Sequence, residues 1–240
     1  MLIINNFSKT YPGGKTAVKN LSLSVQPGEI FGFIGHNGAG KSTTLRTVAG
    51  ILPLEQGEIS IDGNCIKTNA IKAKAITAFL PDNPDLYEFI SGIQFLNFIC
   101  DIYNISSQQR TEKIAYYSDL FELTVSLANP ISSYSHGMKQ KLALISAFVR
   151  SPRLLILDEP FVGLDPKASH LLKQELQNLC QQGNSVLFST HVLEVAEKLC
   201  HRIGIIRQGE LVAYGKTSEI VGSSSLENIF LELEKEGQEQ

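Results

Sequence analysis

The residues best placed to do chemistry are Gly35-His36-Asn37-Gly38-Ala39-Gly40-Lys41-Ser42, which satisfy the spacing G-x-x-x-x-G-K-[ST]. Glycines at that spacing let successive backbone N–H groups turn inward as a nest for an anion at a helix N-terminus. Lys41 adds a point charge for the β and γ phosphates of a nucleotide, and the Ser42 hydroxyl suits Mg²⁺. A second constellation is Leu154-Leu155-Ile156-Leu157-Asp158-Glu159, four apolar residues ending in two acids. A buried strand that delivers carboxylates to its C-terminal edge has this form. Beside a phosphate loop, Asp158 would hold Mg²⁺ through its water shell, and Glu159 would orient and polarise an attacking water. Alone, each segment has a plain alternative, a glycine-rich turn with a solvated lysine or a pair of loop acids. Together they point to a nucleoside triphosphatase.

The elements around these segments suit that chemistry. Ile30 to Ile34 is a continuous apolar run entering the glycine loop, and Thr43 to Ala49 behind it has helix-compatible composition ended by Gly50. Before the loop, Leu2 to Phe7 and the alternating Leu21 to Val25 flank the turn residues Pro12-Gly13-Gly14, and after it Gly57 to Asn64 alternates up to an Asp-Gly turn. These segments predict an antiparallel β layer. From about Leu86 to Arg150 the apolar spacing becomes helical, which predicts a mostly helical insert. Strands at Leu154 to Leu157 and Ser185 to Ser189 then alternate with helices at Pro166 to Gln181 and Leu193 to Cys200, the rhythm of a parallel sheet. Ile203 to Arg207 and Glu210 to Ala213 read as a closing hairpin around Gln208-Gly209. Ser223-Ser224-Ser225 precedes an acidic last helix.

Composition narrows the class further. With 240 residues and 43% hydrophobic content the chain can bury a sizeable core, so disorder is excluded as its main theme. Its 24 acids against 21 Lys and Arg leave a formal charge of −3, without the basic excess of a nucleic-acid surface. Charges interrupt every apolar stretch well short of a membrane span, and Met1 to Thr10 lacks the pattern of a secretory leader. A chain that stays in the cytosol is expected. Cys65, Cys100, Cys180 and Cys200 are scattered, without metal-ligand spacing, and read as unpaired thiols of a reducing compartment.

The remaining motifs carry a family resemblance. Tyr134-Ser135-His136-Gly137-Met138-Lys139-Gln140 lies ahead of the carboxylate strand, and Gly163-Leu164-Asp165-Pro166 and Ser189-Thr190-His191 follow it. In the order and spacing of its motifs the whole chain resembles the ATP-binding subunit of an ABC transporter. That likeness implies an α/β fold: a P-loop NTPase core with a mixed, mainly parallel sheet, an N-terminal antiparallel β layer and a helical subdomain. Residues 1–240 would form one ABC ATPase domain, with 1–85 and 151–222 as the core, 86–150 carrying the signature loop, and 223–240 as a helical tail. It implies ATP and Mg²⁺ as cofactors. Gly35, His36, Asn37, Gly38, Ala39, Gly40, Lys41, Ser42 and Thr43 would hold the phosphates, and Tyr11 would stack on adenine. His191 would touch the γ-phosphate. Ser135 and Gly137 would reach the nucleotide of a second subunit, and Asp165 would belong to the loop joining the two.

The sequence also departs from the family pattern. The signature loop usually reads Leu-Ser-Gly-Gly-Gln, and here Tyr134, His136 and Met138 stand at the first, third and fifth places. The glutamine that meets Mg²⁺ normally follows a segment like Ala78-Phe79-Leu80-Pro81; Asp82 stands there instead, with Asn83 as the other candidate. Both departures, and the tail Ser225-Leu226-Glu227-Asn228-Ile229-Phe230, resemble the subfamily that drives ABC-2-type exporters. The resemblance implies a motor subunit on the inner face of the cell membrane, paired with a second copy and touching the membrane only through a separate permease. A degenerate subunit that binds ATP with little hydrolysis, or a soluble ABC ATPase outside transport, are the alternatives.

Overall fold

The computed structural model describes residues 1–222 and 224–236; Ser223 of the serine stretch and residues 237–240 of the expected tail lie outside the described residues. The N-terminal half opens with strands β1 (Leu2–Thr10), β2 (Thr16–Val25) and β3 (Ile30–Ile34), then helix α1 (Lys41–Val48). Strands β4 (Gln56–Ile61) and β5 (Asn64–Cys65), helix α2 (Ala70–Ala75) and strand β6 (Thr77–Leu80) follow. Helices α3 (Gly92–Ile102), α4 (Ser107–Leu120) and α5 (His136–Phe148) form the middle of the chain. The rest alternates β7 (Leu154–Asp158), α6 (Pro166–Gln181), β8 (Ser185–Thr190), α7 (Leu193–Leu199), β9 (Arg202–Arg207) and β10 (Glu210–Lys216), and ends in α8 (Thr217–Val221) and α9 (Leu226–Glu236).

Among the described residues these strands form two sheets. One is antiparallel in the order β2-β1-β4-β5, and the other runs β10-β9-β3-β8-β7-β6. The second is parallel from β9 to β6, with β10 antiparallel at one edge. Its central strands β3, β7 and β8 are buried on both faces, which is why their cores read as apolar runs. Period-two alternation sends Phe31, Phe33, Leu154, Ile156 and Leu187 toward the antiparallel layer. Ile30, Ile34, Leu155, Leu157, Val186 and Phe188 face the helices on the other side.

Helix starts follow local capping chemistry. Ser91 and Gln94 form a capping box at α3, Ser135 accepts the Met138 N–H at the start of α5, and Asp165 accepts the Ala168 N–H ahead of Pro166 in α6. Two elements differ from what the sequence predicts. Residues 86–91 pack against the helical region but are not helical, because Pro81 and Pro84 lead into turns and the first helix waits for its cap at Ser91. Ala78 to Leu80, readable only as an apolar segment, belongs to strand β6, whose four residues are too short for a periodic signal and are held by β7.

Phe33 is fully buried between the parallel sheet and the antiparallel layer. Phe33→Ala should lower unfolding free energy by about 3–5 kcal/mol in urea titrations, the usual cost of removing a core aromatic. A loss below about 1 kcal/mol would mean that the two layers do not depend on this contact.

Candidate functional site

Adjacent parallel strands bring their C-terminal ends to one edge of the sheet. Ile34 pairs with Thr190, Asp158 with Ser189 and Leu80 with Leu157, so the segments that leave β3, β8, β7 and β6 emerge side by side. Four motifs far apart in sequence therefore meet: the glycine loop, Ser189 to His191, Asp158-Glu159, and Pro81-Asp82. A cleft of about 230 Å³ opens there. It is lined by Tyr11, His36, Asn37, Gly38, Gly40, Lys41, Ser42, Thr43, Asp82, Asp158 and Glu159, and also by Lys15 and Ala17.

The loop has the shape an anion needs. Gly40 has φ +114, and a Cβ there would stand 2.5 Å from the Ala17 carbonyl oxygen, so only glycine fits. As the N-cap of α1 it brings no capping side chain, which leaves the first helical N–H groups as donors for a ligand. Gly35 and Ala39 are buried beneath the loop. The Lys41 ammonium is 5% exposed; it donates to the carbonyls of Gly35 and, at 3.2 Å, His36, and stands 3.6 Å from Glu159 Oε1.

The two acids are held differently. Asp158 is 1% exposed; Ser189 Oγ donates to its Oδ1, and its Oδ2 has no hydrogen-bond partner. Glu159 sits at φ +49, a conformation uncommon for a side-chain-bearing residue and frequent at functional turns. Its N–H donates to Ser189 Oγ at 3.1 Å, and its Oε2 accepts the His191 N–H at 3.3 Å and lies 3.0 Å from His191 Nδ1. His191 thus reaches the site through Glu159. Ser189, in sequence only a near neighbour of His191, anchors both acids. Its hydroxyl type, directly beside the β7 acids, was the available signal, and only strand pairing reveals it.

Tyr11 leaves β1 and its hydroxyl shares a 3.2 Å hydrogen bond with Thr43 Oγ1, which ties the aromatic wall to the start of α1. Asp82 is exposed, lines the cleft, and accepts the Asn83 N–H at 2.9 Å; Asn83 does not line it. Lys15 and Ala17, missed in the sequence, enter because the Pro12-Gly13-Gly14 turn folds β2 back beside the loop.

Ser135, Gly137 and Asp165 do not line this cleft and instead form a second group. Lys141 Nζ lies 2.9 Å from Asp165 Oδ2, and a Cβ at Gly137 would stand 3.0 Å from the Gly163 carbonyl oxygen. The N-termini of α5 and α6 therefore lie together. The Ala168 N–H and then Lys141 hold the Asp165 carboxyl below its ordinary range. Tyr134 is buried and donates its hydroxyl to Ser126 O at 2.6 Å, so the first signature position has become a core residue. His136 is exposed beside Gly163.

The oxygen donors fit a small hard cation. Asp158 offers a buried unpartnered oxygen and Ser42 a hydroxyl on the same cleft wall, a set that leaves remaining positions to water and phosphate as Mg²⁺ prefers. Among the described residues no cluster of three His, Cys, Asp or Glu side chains forms a complete metal cage.

Known proteins agree with this geometry. Residues 18–162 match the ABC transporter family. The linearmycin resistance ATP-binding protein LnrL of Bacillus subtilis is 36% identical over 220 residues, 92% of this chain and 70% of that protein. The Nod factor export ATP-binding protein I of Cupriavidus metallidurans is 35% identical over 223 residues, 93% of this chain and 73% of that protein. A solved structure of the ATP binding subunit of an ABC transporter superposes with a TM-score of 0.93 at 31% identity, covering 97% of this chain and 99% of its own. The chain belongs to the ABC transporter family, as an ATP-binding subunit with ATPase activity.

Removing the Ser189 hydroxyl would leave Asp158 Oδ1 without that donor in a buried setting. Ser189→Ala should cost about 1–3 kcal/mol of stability in urea unfolding without nucleotide. An unchanged midpoint would show that the hydroxyl does not anchor the acids.

Proposed function

We propose that this subunit is the motor of an exporter and works as a head-to-tail pair of identical chains on a separate permease. The observation that carries this reading is the split of the motif residues into two groups. The cleft gathers the groups that grip and cleave ATP, whereas Ser135, Gly137 and Asp165 stand apart on neighbouring helix starts. A second copy turned head to tail would bring that group to the cleft and complete each site. In the completed site Tyr11 stacks on adenine, and the loop from Gly35 to Thr43 with Lys41 holds the phosphates. Ser42, Asp158 and Asp82 would hold Mg²⁺, which would supply charge neutralisation for the phosphates. Residues 1–85 and 151–222 act as the nucleotide-binding core, 86–150 as the helical subdomain, and 223–240 as the tail.

Glu159 accepts a hydrogen bond from the attacking water and polarises it toward the γ-phosphorus, giving ADP and phosphate. His191 orients that carboxylate through its N–H and Nδ1. The presence of Glu159, aimed and supported, favours a working ATPase over a degenerate binder. Export is supported by the departures at Tyr134, His136, Met138 and Asp82 and by the exporter name among the relatives. The permease docks on the exposed aromatic patch after Asp82, where Tyr87 contacts Phe89 and Phe98, and Phe89 is 85% exposed. Among the described residues no helix is long and apolar enough to cross a membrane, in keeping with membrane contact made through the permease at the cytoplasmic face.

Glu159→Gln keeps the shape of the side chain and removes a base. It should bind ATP as wild type does, hydrolyse it on the order of a hundredfold more slowly, and accumulate as an ATP-bound dimer in size-exclusion chromatography. Hydrolysis at the wild-type rate would remove Glu159 from the catalytic step. At the docking patch, Tyr87→Glu should abolish co-purification with the permease while ATP binding by the isolated subunit persists. Retained co-purification would place the permease elsewhere.

A further inference from the structure

Helix α9 is attached both to α7 and to the phosphate loop. Its Leu226 and Phe230, four residues apart on one face, are 0% and 9% exposed and belong to the main core. The Leu226 N–H donates to Glu197 Oε2 of α7 at 2.9 Å, and α7 begins two residues after His191. Phe230 meets the His36 ring edge-on, with centroids 4.8 Å apart at 63°, a favourable aromatic geometry. His36 is an exposed residue of the phosphate loop. Its carbonyl accepts from Lys41 Nζ at 3.2 Å and from the Ala39 N–H at 3.2 Å. Residue 36 is therefore held by its carbonyl inside the loop and by its ring against the tail.

We infer that Phe230 is a positioning residue for ATP binding, acting through His36 to hold the phosphate loop in its anion-ready shape. The inference rests on the assignment of this loop to ATP. The direction of the effect follows from the loop itself. In contact with the tail, Gly38 and Gly40 already hold φ +83 and +114, and Lys41 is already directed by the loop carbonyls. A loop released from the tail must be ordered by the nucleotide, and that cost appears as weaker binding. By linkage, bound ATP strengthens tail docking by the same factor.

Phe230→Ala should raise the ATP dissociation constant and KM about three- to tenfold, the scale of one aromatic pair, with kcat unchanged. Phe230→Tyr keeps the ring and should bind as wild type. In a His36→Ala background, Phe230→Ala should produce no further change, because the pair acts as one unit. ATP should also slow amide hydrogen exchange in α9 of the wild type. If Phe230→Ala does not fold, Phe230→Leu, which removes the ring and keeps apolar bulk, should show the same shift. Unchanged ATP affinity in a folded ring-free variant overturns the inference, as does a full additional loss in the His36→Ala background. A wild-type chain that binds no ATP would overturn the ATP assignment instead, so the two failures are distinguishable.

Discussion

The buried Lys41 ammonium is the constraint around which the site is organised. An ammonium removed from water must be met by acceptors, or its charge is costly to hold. Here the acceptors come from separate parts of the chain: the Gly35 and His36 carbonyls after β3, and the Glu159 carboxylate after β7 at 3.6 Å. Glu159 is shared in turn with His191 after β8, and Asp158 and the Glu159 N–H are tied to Ser189. A cation at the start of α1 thus links the loop after β3 to groups that follow β7 and β8. The network has spare capacity where a ligand would enter, in the unpartnered Asp158 oxygen and the N–H groups opening α1.

That arrangement requires the parallel register, and the register requires burial on both faces. Phe31, Phe33, Leu154, Ile156 and Leu187 pack toward the antiparallel layer while Ile30, Ile34, Leu155 and Phe188 pack under the helices. A one-residue slip of β7 would exchange its two faces and move Asp158 away from Ser189. The antiparallel layer also contributes chemistry, since the turn between β1 and β2 brings Tyr11 and Lys15 over the phosphate loop.

The chain's departure from the family's signature loop also has a physical account. Ser135 and Asp165 first serve as helix caps, and their helix starts are held together by Lys141 and by the close approach of Gly137 to Gly163. Tyr134 replaces an aliphatic residue with a larger one whose hydroxyl finds the Ser126 carbonyl, so the substitution is absorbed in the core.

Much of this protein was determined by local sequence. The spacing from Gly35 to Ser42 needs only a strand, a turn and a helix start, and the run Leu154 to Glu159 states its own burial and its acidic end. The helix from Pro166 to Gln181 was legible to the residue because Asp165 and Pro166 mark its start. Tertiary structure decided what those local signals cannot contain. Strand β6 exists because β7 pairs with it; Asp82 rather than Asn83 lines the cleft because of where that strand ends. Ser189 as the anchor of both acids and Phe230 against His36 depend on contacts across 30 residues or more. Local spacing encodes backbone shape and capping, whereas partners brought together by strand order and helix docking are set by the packing of the whole core.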